Sequence, residues 1–268
     1  MDYNGSNIVF SDNNNNLEAD RQDFVRPVLS ANSLFHFIGK LDDLLEDIRF
    51  KALPPLFCTE DVRYLSIDFK SIAYPMICFC DINLHKMNAH SEYYGPYGIA
   101  FEKTWGITRG VQPIQYVCNN SILAKDFSEA FSYAYNKQSN TPPADYLQTH
   151  MYYLKPLSGP MEKNGLITEK NFCDECEWRY IPDFSQYGIP QALRENELYS
   201  KSFWNDLILN QKKCWLTFDY TDIKYIIVNT REELTQVCDV IDSLDIDKPS
   251  KYSLISKILV WSEIKEDA

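Results

Sequence analysis

At 268 residues, with 45% hydrophobic and 14% aromatic side chains, the chain has ample apolar mass for a packed core, which excludes an intrinsically disordered protein. A net charge of −12 sets an acidic surface against phosphate backbones and argues against nucleic acid as a bulk ligand. The polar start MDYNGSNIVF shows no secretory signal, no stretch approaches the roughly 20 apolar residues of a membrane span, and the irregular cysteine spacing reads as reduced thiols, so a cytoplasmic protein is expected.

Residues 1 to about 29, with the run SDNNNNLEADRQD, read as a flexible Asn-rich arm, and residues 30–268 as a single domain. SLFHFI (33–38) predicts a first strand. LDDLLEDIRF predicts a helix, because Leu41, Leu44, Leu45 and Ile48 fall at helical spacing. YPMICFC (74–80) predicts a buried strand with Pro75 at its start, where no ladder donor is needed. Asp81 is placed to cap a polar helix over INLHKMNAHSEYYG, and Gly95 and Gly98 bracket a turn. IAFEKTWGI and PIQYV predict two strands joined across Gly106 to Pro113. Asp126 to Gln138 predicts a helix with Phe127, Phe131 and Tyr135 spaced by four. Residues 139–143 predict a loop, MYYLKPL a strand that His150 opens, and EWRYI a further strand beyond a Gly-rich connection. ENELYSKSFWNDLIL reads as helical, WLTFDYTDIKYIIV as strand pieces and SLISKILVW as a closing strand. Thr230 and Glu233 carry a capping-box signature for one more helix. Strands and helices interspersed without strict βαβ alternation predict an α+β fold with a mixed, largely antiparallel sheet and flanking helices. Trp105, Trp178 and Trp204 lie among aromatics in periodic segments and are expected in the core.

The common phosphate-binding and nucleophile-elbow motifs are absent, which argues against a kinase, a P-loop NTPase, an ordinary Rossmann dehydrogenase or a G-x-S-x-G hydrolase. NFCDECEWRYIP (171–182) carries the densest chemistry. It sets Asp174, Glu175 and Glu177 around Cys173 and Cys176 at the head of an aromatic strand. Three readings are open on these residues: a solvated loop, a metal site on the two cysteines, or the acids of an active site. Cys78 and Cys80 form a second pair, but a C-x-C on a strand puts both sulfurs on one face, as two small buried hydrophobes would. No metal is expected from this spacing. His36, in LFHF, shares a strand face with Leu34 and reads first as a core histidine. His85 and His90 are five apart, wrong for one helical face. Glu177 and Arg179 alternate along their strand and point to one side, as a surface ion pair flanked by buried Trp178 and Tyr180 would. Crowding Asp174 and Glu175 against that pair raises carboxylate pKa values at a cost in stability, which favours a functional role.

SANSLFHFIGKLDDLLEDIRFKALPPLFCTED, YPMICFCDINLHKMNAHSEYYGPYGIAFEKTWGITRGVQPIQYV and DECEWRYIP together resemble the AbiGi family of bacterial abortive-infection proteins. The resemblance covers most of residues 30 to 260, and CFCDI, YGPYGIAF and WGI are its most specific pieces. It implies phage defence, with this chain as antitoxin and a nucleotidyltransferase-like toxin as its protein partner. A second resemblance links the aromatic-His-aromatic strand and the following helix to ADP-ribosyltransferase-like folds, including the DarT group. It implies that His36 holds the nicotinamide ribose, that Glu175 and Glu177 form an E-x-E pair, and that ICFCD stands at the NAD-supporting second motif. The implied catalytic set is Glu177, Glu175 and His36, and an NAD cofactor would draw on His36, Phe37, Phe79 and Arg179. Such chemistry suits a fixed carboxylate, because breaking the nicotinamide–ribose bond develops positive charge. The usual Ser-Thr-Ser or Tyr second motif is not evident in CFCDI. Two functions follow, a module that restrains a toxin and an NAD-consuming effector. For the effector, Glu177 is expected to face a cleft shared with His36, with Arg179 one step deeper.

Overall fold

The computed structural model describes residues 31–136, 142–163 and 165–265. In chain order its elements run β1 (Ser33–Ile38), α1 (Leu41–Phe50), β2 (Ala52–Leu53), β3 (Leu56–Asp61), β4 (Ser71–Cys80), α2 (Met87–Tyr94), β5 (Tyr97–Glu102) and α3 (Lys103–Thr108). Then come β6 (Gln112–Pro113), β7 (Gln115–Val117), α4 (Ile122–Asn136), α5 (Pro142–Tyr152), β8 (Leu154–Pro156), the hairpin β9 (Ser158–Lys163) and β10 (Leu166–Asn171), β11 (Glu177–Tyr180) and β12 (Leu193–Arg194). The chain closes with α6 (Lys201–Asn210), β13 (Leu216–Thr217), β14 (Ile223–Val228), α7 (Arg231–Ser243), α8 (Lys248–Ile255), β15 (Ile258–Val260) and α9 (Trp261–Ile264).

Among the described residues, nine strands form the main sheet in the order β15-β14-β5-β1-β4-β11-β6, with β3 and β12 also paired to β4. Its ladders are antiparallel except for β14 with β15, so the fold is α+β with a mixed, mostly antiparallel sheet. Alternation gives the sheet two apolar faces. On the first, α1, α7 and α8 bring Leu44, Ile48, Val237, Ile241 and Leu254 against Leu34, Phe79, Ile99 and Phe101. Further along that face α6 seats Ile208 near Ala73 and Trp215. On the second face, α4 and α5 lay Phe127, Phe131 and Met151 over Tyr74 and Met76, while Met87 and Trp261 cover Phe35, Ala100 and Ile227. The Thr230–Glu233 capping box forms at the head of α7.

Several local expectations change. Pro75 lies inside β4, in the interval between Ala73, which pairs with β12, and Ile77, which pairs with β11. No ladder donor is needed there, so the proline is tolerated within a central strand. Asp81 caps no helix and instead ion-pairs with Lys103. Gly98 is a strand residue opposite Phe37, where a Cβ would meet the His36 carbonyl oxygen at 2.8 Å; Gly95, at φ 121°, makes the turn. KTWGIT is helix α3, and Met151, Tyr152 and His150 finish helix α5 instead of starting a strand. Ser253 to Ile255 likewise end helix α8, so the closing strand is β15 alone. A hairpin stands where a Gly-rich connection is expected, and β3 has no counterpart among the predicted strands. Short apolar runs carry too little periodicity to separate a strand from one or two helical turns. The predicted arm, and residues 139–141 of the predicted loop, lie outside the described residues; Pro142 and Pro143 open α5. Among the described residues no helix is long and apolar enough to cross a membrane.

Of the three tryptophans expected in the core, Trp105 is buried and Trp178 and Trp204 are half-buried. Trp215 and Trp261 are the other fully withdrawn indoles. Trp105 stacks on Phe101 at 4.3 Å and meets Phe79 edge-on. Trp105→Ala should therefore cost about 3–5 kcal/mol in urea denaturation, whereas Trp178→Ala, on a half-buried ring, should cost less.

Candidate functional site

The DECE segment leaves a tight helical turn over Phe172–Glu175 through Cys176, which adopts left-handed backbone at φ 44°. Asp174 and Cys176 stay exposed while Glu175 and Glu177 turn inward. In the β11–β4 ladder Glu177 pairs with Cys80 and Arg179 with Cys78, so both side chains project from the second face of the sheet. Glu177 thus faces inward with Arg179 on the same face one step deeper, as expected, and the alternative of a surface ion pair fails. Glu177 is 5% and Arg179 0% exposed, whereas Trp178 and Tyr180 are only partly covered. The β7–β8 pair and helices α4 and α5 cover this face of β11, which is the reason the polar side of EWRY is the inner one.

Six charges alternate through the interior. Glu60 meets Arg179 at 3.2 Å, Arg179 meets Glu177 at 2.6 Å, Lys155 meets Glu177 and Glu175 at 2.8 Å each, and Lys170 meets Glu175 at 2.7 Å. Three cations face three carboxylates, so the group carries no net charge. Arg179 engages all three of its nitrogens: Nε and one terminal nitrogen donate to Glu177, the other donates to the Tyr74 hydroxyl and the Tyr152 carbonyl, and Glu60 ion-pairs with the guanidinium. Tyr94 donates its hydroxyl to Glu175, and the Glu177 backbone N–H donates to the Tyr116 hydroxyl at 2.9 Å.

Burial alone would raise the Glu177 carboxyl, yet Arg179 and Lys155 outweigh it and hold the group below its usual range. Glu175 follows the same balance, with Lys155, Lys170 and Tyr94 overcoming burial. Burial would lower Lys155, but Glu177, Glu60 and Glu175 hold it well above its ordinary value. Glu177, Glu175 and Lys155 therefore stay ionised at neutral pH.

Beside this network lies a cavity of about 1090 Å³, lined among others by His36, Phe37, Cys78, Lys155, Glu175 and Glu177. Its origin is a split in the sheet. On one edge β4 pairs with β3 from Ser71 to Met76 and with β1 only at Cys80, leaving residues 77–79 without a neighbouring strand on that edge. His36 reaches into the split, and its Nδ1 donates to the Cys78 carbonyl at 2.9 Å. Burial lowers the His36 pKa despite that hydrogen bond, so the ring is neutral and Nε2 is left as an acceptor.

Register places the predicted site residues individually. Phe35 and Glu177 both pair with Cys80, so Phe35 shares the Glu177 face and His36 projects from the opposite one, against Phe79 at 5.6 Å. His36 and Glu177 thus line one cavity from opposite faces of the sheet. Phe37 also lines it, stacked on His90 at 5.9 Å. Phe79 is enclosed by Phe101 and Trp105, and Arg179 sits behind Glu177. Cys78 and Cys80 point toward the network with thiols pushed up by burial, and no group of three or more metal-ligating side chains is arranged for a metal among the described residues. Lys155, Lys170, Glu60, Tyr74 and Tyr94 are absent from the sequence-based set. One signal for them is Lys155 itself, a cation inside the apolar run YYLKPL.

Arg179→Met roughly keeps the volume but leaves Glu177 with Lys155 alone and Glu60 without its ion-pair partner, and should cost about 3–5 kcal/mol in denaturant titrations. Because the native Glu177 pKa lies below its ordinary 4.5, its contribution to stability is full above that pH and is lost as pH falls through the lowered value. Urea midpoints should accordingly fall below pH 4.5, and Glu177→Gln should flatten that acid limb while lowering stability at neutral pH.

A family model described as "Putative abortive phage resistance protein AbiGi, antitoxin" matches residues 53–229, a span that holds all six charges of the network. The "Abortive phage resistance protein AbiGi" of Lactococcus lactis subsp. cremoris is 35% identical over 247 residues, covering 81% of this chain and 99% of that protein. No solved structure matches. The chain belongs to the AbiGi family of abortive phage resistance proteins.

Proposed function

We propose that this chain is the antitoxin of a two-gene abortive-infection pair, a binding module that restrains a nucleotidyltransferase-like toxin. The description of its family as an antitoxin supports this reading. The observation that carries it is the state of Glu177. Both its oxygens are engaged by Arg179 and Lys155 within the fold. A carboxylate that stabilises a developing cation must offer its charge to substrate, and here the charge is already neutralised on both sides. The E-x-E pair of the sequence is then a scaffold element that locks β11 against β4 and β8.

A second reading, an NAD-dependent effector on an ADP-ribosyltransferase-like core, draws on the shared cavity. His36, Phe37, Glu175 and Glu177 all line it, and its volume suffices for a dinucleotide. The two readings part on expression in bacteria. The antitoxin should leave growth and NAD content unchanged when expressed alone, and should restore growth to cells expressing the toxin of its pair. The effector should be toxic alone and deplete NAD or modify a macromolecule, and Glu177→Gln should reduce that activity about a hundred- to a thousandfold. Toxicity of the lone chain with NAD loss would overturn the antitoxin assignment.

A further inference from the structure

The cavity carries a second set of carboxylates, treated quite differently by the fold. Asp43, Glu46 and Asp47 line it from one side of α1. Glu175 and Glu177 each meet two cations, but none of these three acids joins an ion pair with a described residue. Asp47 is 4% exposed, and its carboxyl has no hydrogen-bond partner among the described residues. Burial pushes its pKa well up, and Asp43 and Glu46 push it further. Lys40, at the head of the helix, lines the cavity without pairing to any of the three. In all, eight carboxylates and three basic side chains line the space.

A carboxyl so placed, with no donor, takes up a proton readily, and a cation that meets it draws that proton off and restores the charge it pairs with. The rest of the cavity lining narrows the choice of that group. Pro54, Leu56, Ile77 and the buried Trp215 supply apolar and aromatic surface to the same cavity. A hard metal ion would need several convergent oxygens, and no such cluster exists among the described residues. An anion would be repelled. A cation with an apolar stem satisfies both walls at once, with its charge at the carboxyl and its stem on the aromatic surface.

We propose that the Asp47 end of this cavity receives an organic cation, a guanidinium or ammonium group on an apolar stem. That chemistry is shared by a small free amine or guanidine and by an arginine or lysine side chain of a protein partner. The site stands on the cavity alone and does not depend on the antitoxin reading.

Calorimetric titration of the full chain with Nα-acetylargininamide (argininamide), and with its neutral isostere Nα-acetylcitrullinamide (citrullinamide), both blocked at the α-amine, tests it without any toxin. Argininamide should bind at millimolar concentration and citrullinamide at least about tenfold more weakly. Asp47→Asn should weaken argininamide about 10- to 100-fold, the loss of one charge-assisted hydrogen bond, with a melting temperature equal to or above wild type. Asp43→Asn, on the exposed rim, is the variant to read if Asp47→Asn fails to fold, and should weaken argininamide severalfold. Toxin neutralisation then separates the two sources. Its loss in folded Asp47→Asn identifies a partner's side chain, and its persistence alongside lost argininamide binding identifies a free cation. Absence of argininamide binding, equal binding of the two probes, or wild-type binding by folded Asp47→Asn would overturn the proposal.

Discussion

Among the described residues Arg179 is the largest side chain wholly withdrawn from solvent, and its burial is tolerable because each of its three nitrogens finds an acceptor. A guanidinium left unpaired in the interior would cost several kcal/mol, comparable to the stability of a whole domain. Its acceptors come from separate pieces of chain: Glu177 of β11, Tyr74 of β4, the Tyr152 carbonyl at the end of α5, and Glu60 of β3. These pieces are consequently tied to one arrangement. Lys155 extends the tie to β8, and Lys170 to β10, because Glu177 must itself be neutralised and Glu175 lies beside it. A run of acids that reads as a surface feature is, in the folded chain, the negative half of an internal lattice.

Such a network is a weak source of net stability, since apolar residues of equal volume often do as well. Its effect on register is stronger. A slip of β11 by one residue against β4 would turn Glu177 and Arg179 onto the face occupied by Phe79 and Trp105, where no partner charge waits. Four residues make a short strand, and β6 beside it contributes only two. Alternation of hydrophobicity alone would specify so short a pairing poorly, because Trp178 and Tyr180 are only half-buried. The penalty for misplacing two charges supplies the missing discrimination.

Much of the sheet was legible in the sequence, and the reasons differ by element. β1, α1 and α7 have clear spacing or a capping box and lie where the pattern put them, while α4, read from its aromatic spacing, begins four residues before the expected Asp126. The alternation in EWRY correctly paired Glu177 with Arg179 on one side. It left the direction of that side open, because inside and outside depend on the β7–β8 and α4–α5 layers contributed by distant sequence. Strand parity also foretold that His36 and Phe37 would point apart, but not which of them would share a face with Glu177. That relation passes through two ladders meeting at Cys80. The cavity itself was illegible for the same reason: it arises where β1 and β3 fail to meet along β4, an absence of pairing that leaves no local trace. Family membership, by contrast, was readable from CFCDI and YGPYGIAF, where the resemblance rests on several motifs together.

The split edge of β4 explains how one cavity holds two kinds of acid. At the β11 side the carboxylates were brought in together with cations on β8 and β10, and their charges are cancelled within the chain. At the α1 side the helix carries its acids on a face that the sheet does not close, since β1 leaves β4 after a single pair. Asp47 follows Leu44 by three residues, so the helical period that buries Leu44 and Ile48 also draws Asp47 out of water. Moving it outward would require rotating α1 and exposing those leucine and isoleucine contacts with α7. The helix therefore holds a carboxyl in an apolar recess with no internal cation to meet it. Cancelled charges fix a scaffold, whereas a carboxyl that packing holds without an internal counter-charge is available to something else. On that physical ground the chemistry of this protein is to be sought on α1 before the acid-rich turn that first draws the eye.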